Sequence, residues 1–500
     1  MTTAHTLIDL PIAGHVELPA HAGGIASRLG VGFETLDRDL FDPERVYPQL
    51  ATLGVGWARV QSGWSKCETE PGVFDFAWLD DIIDKLAAAG VTPLLSLTFG
   101  NILYTTDAPH ESAVGYVPVN YSDEVVAAWQ RYVGALAAHL RGRVTHWEVW
   151  NEPNIPQFWM PQQENGAAYA RFAALTAEAV REVDPEVVIV GGALSRVDPI
   201  FLEEALQAGL ADTIDVLTFH PYQPVPEHNL RNMVDLVRRL LDTYSPAGSV
   251  EIWQGEAGCP SQAFGHNDDW LGLYDIDEDV QARWVARRVF ADLGAGFARS
   301  FYFHAVDLMA KAYRQSDGGE RPPVMMGLIR GDTYEPKKAF EVLQRVAFFV
   351  DDSSERRELL SMFREVDEQH PEQTGMLSVP MCASFARDGH PMFAYWLSED
   401  PQQRSAAREV QVQVWWDNDL TLDRPVLVDV HTGAVHVVEP MPIDEQLAFD
   451  AILGVRFTLP ITDYPVILTD ASVVPGYDDP RPVPDGESTL RTLRRRRYLS

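Results

Sequence analysis

Cysteine is scarce in this chain: there are three in 500 residues, Cys67, Cys259 and Cys382. Three cannot build a disulfide framework, and none sits in a Cys-x-x-Cys or Cys/His spacing that suits zinc, so a reducing compartment is expected. Long apolar runs are also missing. The opening stretch, MTTAHTLIDLPIAGHVELPA, has neither a cationic start nor the apolar segment of a secretory signal, and the expectation is a cytoplasmic protein. The sequon Asn120-Tyr121-Ser122 is accordingly read as chance. Basic charge is in the minority, with 40 Lys plus Arg against 73 Asp plus Glu and a net charge of −33. Such a field repels phosphate backbones and anionic lipid, which argues against nucleic-acid and membrane partners. The run Arg494 to Arg497 reads as a solvated or subunit-docking tail, leaving a homo-oligomer open.

What remains is an ordinary globular composition, 46% hydrophobic and 23% charged, long enough for one enzyme-sized domain with appendages. Short apolar runs alternate with stretches of helical periodicity, the pattern of parallel strands joined by helices. Strands are expected at Val31–Thr35, Trp57–Gln61, Thr92–Thr98, His146–Asn151, Val187–Gly191, Asp215–His220, Glu251–Glu256 and Ser300–His304. Helices are expected at Trp78–Ala89, Glu124–Leu140, Ala167–Val183 and, last, Lys337–Phe348. Eight such units make an α/β chain with a (β/α)8 TIM barrel over residues 28–350. The doubly wound alternative is weaker, because Gly30-Val31-Gly32 is not followed by a phosphate-binding fingerprint.

Beyond residue 355 the period drops to two, with runs at Met392–Leu397, Val410–Trp416, Val426–Val430, Val435–Val438, Val455–Leu459 and Val466–Leu468. This reads as a C-terminal all-β sandwich-like module over 355–475, with residues 1–27 a candidate to pack on it and 476–500 a tail.

In a barrel, residues at the C-terminal strand ends face the active-site mouth. Glu152 stands there after the fourth strand and Glu256 ends the seventh. Carboxylates on opposite sides of a mouth suit glycosidic bond cleavage, one as acid and base, the other as nucleophile or base. Each glutamate alone could equally be a solvated strand end.

The run Trp150-Asn-Glu-Pro-Asn154, with Gly255-Glu256 at the seventh strand, resembles the acid/base and nucleophile motifs of clan A glycoside hydrolases, which are retaining barrel enzymes. The longer run Trp147-Glu-Val-Trp-Asn-Glu-Pro-Asn154 and the C-terminal β-module look most like glycoside hydrolase family 39, the β-xylosidase type. The resemblance implies Glu152 as acid/base, Glu256 as nucleophile and Asn151 as donor to the sugar 2-hydroxyl. It places His220 and Tyr222 on the sixth strand, the tyrosine bonding the nucleophile, and Arg59 beside that nucleophile. The eighth strand, Ser-Phe-Tyr-Phe-His304, lacks the tryptophan many clan members set under the sugar, so Tyr302 or His304 is expected to rebuild that floor.

Two further expectations concern the surroundings. Trp150 and Pro153 should raise the pKa of Glu152 by desolvation, whereas Arg59 and Tyr222 should hold Glu256 ionised. Loop aromatics are candidate sugar platforms, Trp64 and Trp159 ahead of Tyr104, Phe158, Trp270 and Tyr274.

No cofactor and no metal are expected. Asp275-Ile-Asp277-Glu-Asp279 begins like a calcium loop, but Val280 and Ala286 replace its obligatory glycine and glutamate, and it reads as a helix N-cap. The expected substrate is a short or aryl β-glycoside or oligosaccharide, cut from one end, with the loop 258–279 closing the cleft. Other sugars (a β-galactoside, β-glucoside or furanoside) and a non-catalytic carbohydrate-binding barrel stay open as alternatives.

Overall fold

The computed structural model describes residues 8–18, 27–245, 250–262, 275–309, 323–365, 379–417, 419–441 and 452–482. Trp270, Tyr274, most of the loop 258–279 and the arginine run at 494–497 lie outside the described residues.

Eight parallel strands close into a barrel: β1 Leu29–Gly32, β2 Trp57–Gln61, β3 Thr92–Leu97, β4 His146–Val149, β5 Val188–Ser195, β6 Val216–His220, β7 Glu251–Ala257 and β8 Ser300–Tyr302. A helix follows each in turn: α1 Tyr47–Leu53, α2 Ala77–Ala88, α3 Asp123–Leu140, α4 Gly166–Arg181, α5 Pro199–Gln207, α6 Leu230–Tyr244, α7 Glu278–Ala295 and α8 Lys338–Phe349. No helix among the described residues is long and apolar enough to cross a membrane.

Period-two patterning decides what each strand points inward. At the bottom of the barrel Trp57, Leu94, Val190, Val216, Trp253 and Phe301 form a closed apolar plug. Two residues further along, the inward positions turn polar: Arg59 on β2, Ser96 on β3, Glu148 on β4 and Thr218 on β6, each fully buried. The intervening residues, such as Ala58, Val60, Leu95, Trp147, Val149 and Leu217, face the helices and join the main core.

Strand ends differ from the sequence-based expectation where the backbone turns. β1 starts earlier, at Leu29, because Gly30 is needed there: a Cβ on it would stand 2.3 Å from the Phe301 ring. β4 stops at Val149, since Trp150 (φ 70°) and Glu152 (φ 45°) are left-handed. β5 runs past its Gly-Gly pair to Ser195 through a register shift between Gly191 and Leu194, with Gly192 (φ 88°) and Ala193 (φ 44°) forming the irregularity. β8 ends at Tyr302, before His304.

After the barrel come β9 Glu355–Arg356, β10 Leu360–Glu365, β11 Val379–Arg387, β12 His390–Ser398, β13 Arg408–Asp417, β14 Pro425–Asp429, β15 Ala434–Val437, β16 Ile452–Ile461 and β17 Val466–Asp470. One sheet has the order β15-β14-β17-β12-β11-β9, extended beyond β15 by a short N-terminal strand, Gly14–His15; the other is β10-β13-β16. Phe393, Tyr395 and Leu397 of the first meet Val412, Val414, Phe457 and Leu459 of the second in a common core. β10 and β11 escaped the sequence reading, the latter because Pro380, Ala383 and Ser384 dilute its apolar signal.

The β-module docks on α7, the helix that follows β7. Asp277 caps α7 by accepting from the backbone N–H of Asp279 and Val280 at 3.0 Å each. Arg283 of the same helix pairs with Asp463 at 2.6 Å, and Asp279 meets His431 at 3.0 Å. Asp279 and Arg283, one turn apart on the same face of α7 and paired with each other at 2.8 Å, fix the two parts against each other.

Candidate active site

The polar layer of the barrel is organised by one guanidinium. Arg59 donates through Nε to Glu148 Oε2 at 2.7 Å, through Nη1 to Glu34 Oε1 at 2.8 Å and to Glu256 Oε2 at 3.0 Å, and through Nη2 to Asn151 Oδ1 at 2.8 Å. Four partners from three strands, Glu34 after β1, Glu148 and Asn151 on and after β4 and Glu256 on β7, are thereby oriented around a single cation. Burial works against the charge on Arg59, but Glu148, Glu34 and Glu256 together hold its pKa above the ordinary value.

Glu256 has both oxygens engaged, since the Tyr222 hydroxyl donates to Oε1 at 2.6 Å. Glu152 is supported differently. Its backbone N–H donates to the carbonyl of Ala193 at 2.8 Å, the group the β5 irregularity turns outward, and its Oε1 lies 3.0 Å from His220 Nδ1. That ring nitrogen is also 3.8 Å from Glu256 Oε2, and one ligand atom each from Glu152, His220 and Glu256 lie within 4.8 Å of one another. His220 therefore stands between the two carboxylates.

Burial pushes the Glu152 carboxyl up to about 7, against the pull of Arg59, Ser195 and Arg196. Glu256 also lies above the usual carboxylate range through burial, opposed by His220 and Arg59 and reinforced by the nearby Glu34 and Glu152. Arg59 and His220 favour the ionised form of Glu256, and its removal from water opposes them. Burial lowers His220, leaving it neutral at neutral pH, and keeps Tyr222 a protonated donor.

The three atoms of Glu152, His220 and Glu256 are close enough to hold a cation. Arg59 and Tyr222 nevertheless occupy both Glu256 oxygens, and the guanidinium repels a second positive charge there.

Two polar residues of the cluster escaped sequence reasoning. Glu148 occupies an inward position of β4 between Trp147 and Val149, a charge in an apolar strand, and that was its one signal. Glu34 follows the first strand in Gly32-Phe33-Glu34-Thr35 and gave no signal of its own in the sequence. Burial tends to raise its carboxyl, yet His304 and Arg59 beside it hold it below the usual range.

Several candidates are not where a sugar contact would need them. Trp64 is fully buried, stacked on Tyr104 at 5.1 Å, with Nε1 donating to Glu68 Oε2 at 2.6 Å. Trp159 is fully buried against Tyr169 and Phe172. Neither has a free face, because each fills the space between the barrel and its helices. Tyr302 points outward as well: its hydroxyl donates to Cys259 O at 3.0 Å and accepts from Gln281 Nε2 at 3.0 Å. His304 does join the cluster, with Nε2 3.3 Å from Glu34 Oε2, but its ring is packed against Phe41 and is shielded from solvent. Trp150 is enclosed too, donating Nε1 to the Phe158 carbonyl at 2.6 Å.

Residues 63–228 match the model of glycosyl hydrolases family 39. A β-xylosidase of Geobacillus stearothermophilus is 29% identical over 129 residues, 24% of this chain and 25% of that protein. A β-xylosidase of Caldicellulosiruptor saccharolyticus is 30% identical over 166 residues, 30% of this chain and 31% of the relative. The chain thus matches less than a third of either relative's length. In fold it resembles a family 39 glycoside hydrolase of Bacteroides cellulosilyticus WH2, with TM-score 0.62 and 16% identity, over 90% of this chain and 82% of the other. The matched segment carries Asn151, Glu152, His220 and Tyr222, and over it the chain is similar to glycosyl hydrolases family 39.

Proposed function

We propose that this protein is a retaining, exo-acting glycoside hydrolase that cleaves short or aryl β-glycosides, β-xylosides first among them. The observation that carries the reading is the pair Glu152 and Glu256, two carboxylates with oxygens within 4.8 Å and unlike supports. Retaining enzymes hold their carboxyl groups about 5–5.5 Å apart, inverting ones about 6.5–9.5 Å to admit a water. The short separation favours a covalent intermediate.

In this mechanism Glu256, aligned by Arg59 and Tyr222, attacks the anomeric carbon while protonated Glu152 gives its proton to the departing glycosidic oxygen. Glu152, now a carboxylate beside His220, then takes a proton from water, which attacks the same carbon and releases Glu256. Asn151 spends Oδ1 on Arg59, leaving Nδ2 to donate to the sugar 2-hydroxyl. A cytoplasmic setting, read from the unpaired Cys67, Cys259 and Cys382, would restrict the substrate to small glycosides.

A panel of nitrophenyl β-pentosides, hexosides and furanosides tests the reading. Turnover of the xyloside with retention of configuration supports it. Silence across the panel with sugar binding intact by calorimetry would make the chain a carbohydrate-binding barrel instead. Preference for another sugar is the second reading, favoured by the buried His304 where many clan members place a tryptophan under the ring. Internal fragments appearing first from an oligosaccharide would rule out exo action.

A further inference from the structure

We infer that Arg196 forms an anion-binding subsite on the leaving-group side of Glu152, so that preferred substrates carry a carboxylate on the aglycone; the inference rests on the glycosidase reading above. Arg196 directly follows β5 and is exposed. Its backbone is nonetheless fixed. The Arg196 N–H donates to the His220 carbonyl at 3.1 Å, and its φ is 59°. The residue before it, Ser195, donates its N–H to Asn154 Oδ1 at 2.8 Å and accepts from Asn154 Nδ2 at 2.9 Å. Together with the Glu152 N–H on Ala193, these bonds lace the end of β5 to the segment 152–154 and to β6. Arg196 is held by the same bracket as the acid/base.

The side chain has no ion pair with a carboxylate among the described residues, although Asp and Glu outnumber Lys and Arg by 73 to 40. The other arginines at this end of the barrel are engaged, Arg59 with three glutamates and Arg38 with Asp37 at 3.3 Å. A bare guanidinium presents a planar fork of donors that fits a carboxylate in two-point contact. Electrostatics assigns the side. Glu152 protonates the bond to the aglycone, and Arg196 acts on Glu152, whereas Arg59 and His220 are the groups that favour the charge on the nucleophile Glu256.

Charge explains why such a group is useful. The chain carries −33, so an anionic aglycone is repelled unless a local cation offsets the field. Arg196 also acts on Glu152, opposing its protonation. An anion bound to Arg196 would neutralise that pull and keep Glu152 in its acid form at the moment a proton is needed.

The test uses the full chain and two β-xylosides with leaving groups of similar acidity, 3-carboxyphenyl and the uncharged 3-(hydroxymethyl)phenyl. The kcat/KM ratio of charged to neutral substrate should be about tenfold in the unmodified protein at low salt. It should fall with ionic strength, drop close to one in Arg196→Gln, and recover in part in Arg196→Lys. Because the comparison is a ratio within each variant, a loss of folded protein cancels. A ratio near one in the unmodified protein, or one that Arg196→Gln does not change, overturns the inference and leaves the glycosidase reading standing. Failure to hydrolyse either compound, or any member of the nitrophenyl panel, overturns both.

Discussion

His220 Nδ1 lies 3.0 Å from Glu152 Oε1, and the imidazole is fully buried and neutral. This contact leaves the proton on Glu152 controlled by burial, which sets its carboxyl near 7. Since the first chemical step needs the acid form, kcat/KM for substrates with poor leaving groups should decline as pH rises through about 7. A pH profile measured with phenyl and with dinitrophenyl glycosides checks this. The basic limb should be pronounced for the first and weak for the second, which needs little protonation.

The same shift has a sign for stability. Glu152 binds its proton more tightly folded than unfolded, so its contribution is present at low pH and is lost between the unfolded value near 4.5 and the folded value near 7. Glu152→Gln, neutral at every pH, should therefore be more stable than the unmodified protein at pH 8, by up to about 3 kcal/mol. The gap should close below pH 5 in urea titrations. A gap independent of pH would mean that Glu152 is not protonated by burial.

The two glutamates should respond differently to removal. Glu256→Ala should abolish turnover of every substrate, since no covalent intermediate forms. Glu152→Ala should keep the first step for good leaving groups and slow the second. Azide should then yield a β-glycosyl azide with Glu152→Ala and an α-azide with Glu256→Ala. Reversed anomers would exchange the two roles.

Among the described residues, Arg59 is the sole cation contacting Glu34, Glu148 and Glu256 together. Arg59→Met should destabilise the fold at pH 7 by about 3–5 kcal/mol, because it leaves buried carboxylates unpaired. With the cation gone Glu34 and Glu256 lose the charge that favours their ionised forms, so the deficit should shrink at pH 5. Denaturant unfolding at both pH values reads the difference.

Trp64 is fully buried and wedged between Tyr104 and Tyr132. Trp64→Ala should cost about 3–5 kcal/mol of stability. The milder Trp64→Phe should lower the melting temperature while leaving KM unmoved, whereas a sugar platform would show the opposite pattern.

The order of elements and the position of both glutamates were legible in the sequence because they rest on local information. Periodicity says which face of a strand is buried, and Trp-Asn-Glu-Pro-Asn is a contiguous run. Trp64 and Trp159 could not be placed in this way: an aromatic near a strand end looks the same whether it faces the mouth or a helix. The Arg59 cluster was beyond reach for a related reason. Glu34 and Glu148 stand 25 and 89 positions from Arg59 along the chain, and only barrel closure brings them to one guanidinium. The irregularity at Gly192 and Ala193 was read as a strand end, yet in the folded chain it supplies the carbonyl that holds Glu152. Spacing along the chain determined which residues face inward, whereas the closed barrel decided which of them share a proton, a cation or a water-free pocket, since those depend on distances of a few ångströms between different strands.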